Sequence, residues 1–472
     1  MRKPLSGPIF SVLILLSVFI LNGCSKTPRD NTITSIPFVV TYNIISTVNQ
    51  TNAVSGGVTT ANTYGSIRAN GVCWSSTNQM PTVADSKTTD TVAAIGAGFN
   101  SSVTGLTANT TYYLRAYATN DAGTGYGAVI KFTTTNTPGT LTGTVTTIAG
   151  NANYGLANGP GASALFNGPQ FISFNPVAGN LYISDNFNNL IRTMTTSGTV
   201  STLTNPTLGY VNGPLSSALF YGIANIAFDA QGNAYVAELG NDLIRKITTA
   251  GVVSTLAGNG TIGYADGAGT IAEFNGPQGL TVDAQGNVYV TDKINNLIRK
   301  ITAAGVVSTF CGGVANPGVG QTNVAGYADG STGATTLFNK PSSIAIDATG
   351  TNLYVADVAN KAVRVVTIAT GATTTLAGTG VQKKLLGAPV ALTVDGQGNV
   401  FIVDQSGRIL EITATKILYV LAGALNTSGF VDGVGAAARF NDPQGIAVDA
   451  QGNVYVADFG NNSIRKIVVK AQ

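Results

Sequence analysis

The chain contains no histidine. That absence removes imidazole-based zinc sites and any Ser-His or Cys-His catalytic machinery. Charge is scarce as well: Asp, Glu, Lys and Arg make up 10% of the 472 residues, against roughly 25% in an average soluble domain. A net charge of +3 falls short of the basic footprint that binds nucleic acid, so no nucleic-acid partner is expected. The three cysteines form no disulfide framework. Cys24 lies in the leader, and Cys73 and Cys311 fall in different domains. Cys311 stands where a sister segment has Ala257, and so reads as a buried free thiol. There is no Walker loop, no C-x-x-C and no G-x-S-x-G. What fills the chain is Gly, Thr, Asn and Ser, the composition of a turn-rich β protein with a neutral polar surface.

At the N-terminus, Arg2 and Lys3 precede an apolar run from Ile9 to Leu21, which is short for a bilayer span. It ends in LNGC at 21–24. This resembles the lipobox of bacterial lipoproteins, which implies a signal peptide over 1–23, lipidation of Cys24, and a membrane partner through that lipid. Ser25 follows instead of the aspartate that retains lipoproteins at the inner membrane. The resemblance therefore implies an outer-membrane or cell-surface location in a Gram-negative bacterium. Residues 24–33 read as a tether.

From 34 to 135, short alternating strands separated by Gly, Asn and Ser turns predict a β-sandwich. The stretch GLTANTTYYLRAYATNDAG at 105–123 places Leu106 and Tyr112 at the spacing of a tyrosine corner. With GVCWSS at 71–76 and the closing KFTTT, it resembles a fibronectin type III module, usually a spacer. Residues 136–142 read as a linker.

The remainder repeats. Asp185, Glu238, Asp292, Asp357, Asp404 and Asp458 align at intervals of 47 to 65 residues. Each closes the second of four strands, as in GLTVD-AQG-NVYVTD-KINN-LIRKIT-AAG-VVSTF. One such meander cannot bury both its faces, so neighbours must cover each other. The last unit stops one strand early, while GTVTTIAG at 143–150 stands before the first unit and matches GVVSTLAG at 251–258. Pairing this orphan with the last unit removes two exposed edges and closes a ring. The pattern PQGIAVDAQGNVYVADFGNNSIRKI resembles the NHL repeat over 143–472. The fold expected is all-β: a fibronectin type III-like sandwich, then a six-bladed NHL β-propeller closed by its N-terminal strand.

Most acids are explained by the repeat. Asp229, Asp283, Asp347, Asp395 and Asp449, with Asn175, open the turn after each first strand. Seven residues after the aligned acids come Arg192, Arg245, Arg299, Arg364 and Arg465; in the fifth unit Leu410, six after Asp404, takes that place. The pairs Asp185–Arg192, Glu238–Arg245, Asp292–Arg299, Asp357–Arg364 and Asp458–Arg465 are expected as structural ion pairs; the other reading is an arginine ring for an anionic ligand. In the connectors, Tyr210, Tyr264, Tyr327 and Phe430 either contact a ligand or pack against Phe166, Phe220, Phe274, Phe338 and Phe440. Asp266, Asp329 and Asp432 supply one carboxylate per loop, a weak offer to calcium.

In an antiparallel meander the connectors and the second turns share one side of the disc. Binding is expected there, at a mouth lined by Gln170, Gln278, Ser342 and Gln444, with Ala224 and Val390. Glu273 and Asp442 enter units on opposite sides of the ring, too far apart for a glycosidase pair. No catalytic residue, metal site or cofactor is assigned. The expected function is a cell-envelope lipoprotein using its propeller as a non-catalytic scaffold for a glycan, peptide or envelope protein. The alternative is a lactonase-like hydrolase or lyase acting on extracellular sugar derivatives.

Overall fold

The computed structural model describes residues 35–43, 45–46, 48–61, 66–135, 141–313, 324–378 and 386–471. The expected signal peptide and tether, with Cys24, lie outside them, as do residues 136–140 of the expected linker.

Among the described residues, the repeated meanders expected over 143–472 form six sheets. Sheet 1 runs through Pro169–Asn175, Asn180–Asp185, Leu190–Thr195 and Thr199–Thr202, and sheet 3 through Pro277–Val282, Val288–Asp292, Leu297–Ile301 and Val306–Cys311. Sheet 2 runs from Ile223–Phe228 to Val252–Ala257, sheet 4 from Pro341–Ile346 to Thr373–Ala377, sheet 5 from Pro389–Val394 to Ile417–Ala422, and sheet 6 starts with Pro443–Val448. All neighbouring strands within them are antiparallel. The first strand of each sheet touches that of the next, and the sixth touches the first.

Each seam between sheets holds its own apolar cluster. Tyr235 and Ile244 of sheet 2 pack on Leu280 and Val290 of sheet 3. Tyr455 and Ile464 of sheet 6 pack on Ile172 and Ile183 of sheet 1. Alternate residues of one strand thus feed two different seams, which is why the β-branched pattern persists through every unit. Gly279 and Gly445 let the first strands approach: a Cβ there would meet Ser342 O at 2.5 Å and Gln170 O at 2.6 Å.

The sixth sheet takes its fourth strand from far upstream. Leu141–Ala149 pairs antiparallel with Ser463–Ala471, in register from Leu141↔Ala471 to Ala149↔Ile464. The strand starts at Leu141, so the last two residues assigned to the linker belong to it.

The described residues between 35 and 135 form two facing sheets. One contains Phe38–Thr41, Ala53–Ala61 and Gly98–Val103; the other is built on Ala69–Ser75 and Thr111–Asn120. The Tyr112 hydroxyl accepts a hydrogen bond from the Thr107 amide at 2.9 Å, and Leu106 is buried. This unit is more than a spacer. Ile45–Ser46 pairs in parallel with Ile417–Leu418 at the outer edge of sheet 5, and Asn43 donates to Thr375 O at 2.9 Å. Leu114 and Phe132 share one apolar cluster with Phe401, Tyr419 and Ile446.

Sheet 5 is adapted to that contact. In sheets 1, 2, 3 and 6 a two-residue strand of the connector covers the outer edge, as Gly267–Ala268 covers Val306–Val307. In sheet 5 the outer edge receives the strand from the sandwich instead. Cys73 and Cys311 are buried free thiols, and burial pushes both up to about 11.

Glu411 is the least favourably placed acid. It is 4% exposed, its Oε2 has no hydrogen-bond partner among the described residues, and burial together with Asp395 pushes its carboxyl up to about 7. Because the folded value lies above the ordinary 4.5, the native state holds a proton that the unfolded chain has lost. Its contribution to stability is full below about pH 4.5 and is lost as pH rises through about 7. Glu411→Gln should abolish this component, about 3 kcal/mol at full extent. Urea midpoints of parent and variant from pH 4 to 8 test this, and parallel curves would refute it.

Candidate functional site

The aligned acids and arginines are fully buried. Nη1 to carboxylate distances are 2.8 Å for Arg192–Asp185, 2.6 Å for Arg245–Glu238, 2.9 Å for Arg299–Asp292, 2.8 Å for Arg364–Asp357 and 2.7 Å for Arg465–Asp458. Each guanidinium also ties down the connector ahead of its sheet. Arg299 donates to Glu273 O, Ala265 O and Asp266 Oδ1 at 2.9, 3.0 and 2.6 Å. Asp292 in turn accepts from the Asn275 amide at 2.8 Å and from Asn295 Nδ2 at 2.9 Å. Burial pushes Asp292 and Asp458 up to about 6, against the pull of their arginines and asparagine donors. These charges hold loops and are closed to a ligand. Sheet 5 departs from the pattern for a visible reason. The connector before it, GTGVQKKLLGAP at 378–389, has no Asp or Asn to receive the second Nη, and Leu410 fills the arginine's place in an apolar cluster. Asp404 pairs instead with Arg408, whose Nε lies at 3.0 Å.

The connector aromatics cover the same guanidiniums. Arg245 lies between Tyr210 and Phe220 at 5.3 and 5.0 Å, Arg364 between Tyr327 and Phe338 at 5.0 and 5.2 Å, and Arg465 between Phe430 and Phe440 at 5.0 and 5.1 Å. Their outer faces remain partly open, and Tyr264 is half-buried. Stacking on a cation explains why Phe can replace Tyr here.

At the turn after each first strand, Asp283 Oδ1 accepts from the amides of Gln285 and Asn287 at 3.0 and 2.8 Å. Asp229, Asp395 and Asp449 do the same in their turns. At this short-turn end of the central channel lies a cavity of about 410 Å³, lined by the ends of the first strands, including Ile172, Leu280, Thr281, Thr393 and Asp449. Loop lengths in the sequence give no sign of it, because it is made by the spacing of inner strands and not by any loop.

The mouth residues open the first strands on the opposite, loop-rich side, where connector and second turn are joined by bonds such as Leu239 N to Gly222 O at 2.7 Å. Gln170 Oε1 accepts from Asn186 Nδ2 at 2.5 Å. Gln444 donates to Asp442 Oδ1 at 2.6 Å. Ser342 is buried and donates to Val390 O at 2.8 Å, so its hydroxyl serves the scaffold. Gln278 is buried too, and its Oε1 has no partner among the described residues. Of the four polar mouth residues, Gln170 and Gln444 keep partial exposure.

Sequence reasoning missed the apolar side chains of the second turns. Phe187 is 67% exposed and Ile294 52%, and Phe187 meets Phe459 with ring centroids 5.4 Å apart. Leu239 and Tyr221 continue the exposed arc. The available signal was an apolar residue one or two places after the aligned acid, inside an otherwise polar turn. Among the described residues no three His, Cys, Asp or Glu side chains are grouped so as to hold a metal. No helix in them is long and apolar enough to cross a membrane.

Comparison with known proteins agrees with this architecture. The NHL repeat family model matches residues 274–301 and 440–467. An Arabidopsis thaliana protein, Suppressor of Quenching 1, chloroplastic, is 29% identical over 287 residues; the match takes in 55% of this chain and 26% of that protein, so the chain spans about a quarter of this relative. Among solved structures, an auxiliary nutrient binding protein from Bacteroides thetaiotaomicron superposes with a TM-score of 0.50 at 16% identity, covering 92% of this chain and 98% of that one. A second auxiliary nutrient binding protein, from Bacteroides ovatus, gives 0.50 at 16% identity, covering 94% and 100%. The chain carries NHL repeats, and its fold is an NHL-type propeller.

Proposed function

We propose that this is a cell-envelope lipoprotein, anchored through Cys24 at the outer membrane or cell surface. Its fibronectin type III-like sandwich (34–135) supports a closed six-bladed NHL propeller that begins near residue 141. The propeller acts as a non-catalytic scaffold binding a glycan, peptide or envelope protein on its loop-rich side. The carrying observation is the division of labour there. The repeated acids and arginines are consumed by the scaffold, while Phe187, Phe459, Gln170 and Gln444 stay at least partly accessible without a structural duty that requires it. Exposed apolar groups among polar ones mark interaction sites. The two Bacteroides neighbours described as nutrient binding proteins point the same way.

The test is retention of the full chain on polysaccharides and envelope extracts, compared with Gln170→Ala/Gln444→Ala. The variant should melt like the parent and lose at least about fivefold in affinity, roughly 1 kcal/mol. Lactone hydrolysis that requires a divalent metal bound at the mouth would instead establish the lactonase-like alternative.

A further inference from the structure

Two seams on the loop-rich side carry groups that the sheets do not use. At the seam of sheets 6 and 1, Phe187 and Phe459 lie against each other, ring centroids 5.4 Å apart. Beside them the Gln170 and Asn186 carboxamides are joined at 2.5 Å. At the seam of sheets 3 and 4, the Lys340 amide donates to Asn296 Oδ1 at 2.8 Å. This seats the entry to sheet 4 beside the turn that carries Lys293, whose own amide is held by Gly276 O at 3.3 Å. The Lys293 ammonium is pushed below its ordinary value by burial and by the charge of Lys340.

No carboxylate answers these two lysines. Neither forms an ion pair among the described residues. Asp292 and Asp357 are spent on Arg299 and Arg364, and Asp242 is buried against the Gly276 amide at 2.8 Å. Lys293 is half-buried and Lys340 exposed, and two cations on adjoining segments disfavour each other when no carboxylate stands between them. An anion placed between them turns the cost into charge-assisted hydrogen bonds.

The two seams stand opposite each other in the cycle of first strands, with the mouth between them, where the exposed Asp442 carboxylate is held by the Gln444 carboxamide. We infer that this side binds an anionic glycan, one sugar ring stacked on Phe187 and Phe459 and an acidic group of the chain set between Lys293 and Lys340. The inference rests on the loop-rich side being the binding surface and adds the charge of the ligand and its direction across the disc. A peptide could supply an anion, but the planar carboxamides beside the aromatic pair suit the alternating apolar faces and hydroxyls of a sugar.

The full chain is titrated with polygalacturonate, a sulfated galactan and an uncharged galactan. An anionic chain should bind more tightly than the uncharged one. Lys293→Ala/Lys340→Ala should lose about tenfold in affinity for it, as should the parent at 1 M salt, where screening falls to about 3 Å. Phe187→Ala/Phe459→Ala should weaken charged and uncharged chains alike. Unchanged melting of both variants excludes a folding defect. Preference for polygalacturonate assigns a carboxylate and preference for the sulfated chain assigns a sulfate; both support the inference. Equal binding of charged and uncharged galactans, indifferent to the lysines, overturns it and leaves the scaffold function standing. Retention of an envelope protein but of none of the three glycans does the same. Retention of nothing from polysaccharides or envelope extracts overturns both.

Discussion

Arg465→Ala is expected to lower the unfolding free energy by about 3–5 kcal/mol, read as a fall in the urea midpoint at constant m-value. The substitution would strand the Asp458 carboxylate at a site with no exposure. It would also take from the carbonyls of Arg439 and Val431 the guanidinium donors at 3.0 and 2.9 Å, leaving each only a backbone amide, and open the slot between Phe430 and Phe440. The unpaired buried charge accounts for most of this loss, because water cannot enter to solvate it. Removing both charges with Arg465→Met/Asp458→Asn should therefore be milder than the single change. Sheet 5 makes the comparison natural, since Leu410 already occupies the arginine's place there. A single variant within about 1 kcal/mol of the parent would mean that the network does not hold the connectors.

A chain beginning at Gly150 should fail to yield a monomeric folded protein. It lacks Leu141–Ala149, which pairs with Ser463–Ala471 on one side and Gly433–Val434 on the other and buries Val145 and Ala149. Losing a ladder of that length, at about 1 kcal/mol net per hydrogen bond, approaches the whole stability of an ordinary domain, about 5–15 kcal/mol. Two unpaired edges would remain as templates for other chains. A chain beginning at Leu141 keeps the strand but loses the sandwich. It should fold and self-associate, because Ile417 and Tyr419 belong to the cluster shared with the sandwich. Size-exclusion chromatography with far-UV circular dichroism distinguishes the two. A monomeric, cooperatively melting chain from Gly150 would refute the role of the strand in closure.

The repeats, the alternation within strands and the missing last strand were legible from the residues because each is a local pattern with a fixed period. The aligned acid–arginine spacing was legible for the same reason: strands two and three are joined by a tight turn, so seven residues set the arginine opposite the residue two before the acid, diagonal to it and within its reach. The exception at Leu410 was visible as a substitution, and the sequence of the connector at 378–389, which offers no Asp or Asn, goes with it.

Contacts between different repeats were not legible. Lys293 and Lys340 are far apart in the chain, and only the seam between sheets 3 and 4 brings them together. Phe187 and Phe459 belong to the first and last units and meet because the ring closes. The docking of the sandwich on sheet 5 has no sequence signature, since a short strand such as Ile45–Ser46 suits any open edge. By itself the sequence determined the all-β class, the meander and its period, because local spacing sets strand, turn and pairing. Only the tertiary structure decided which repeats face each other, which glutamines stay accessible, and where unpaired charge collects, because burial and electrostatics depend on distance in space.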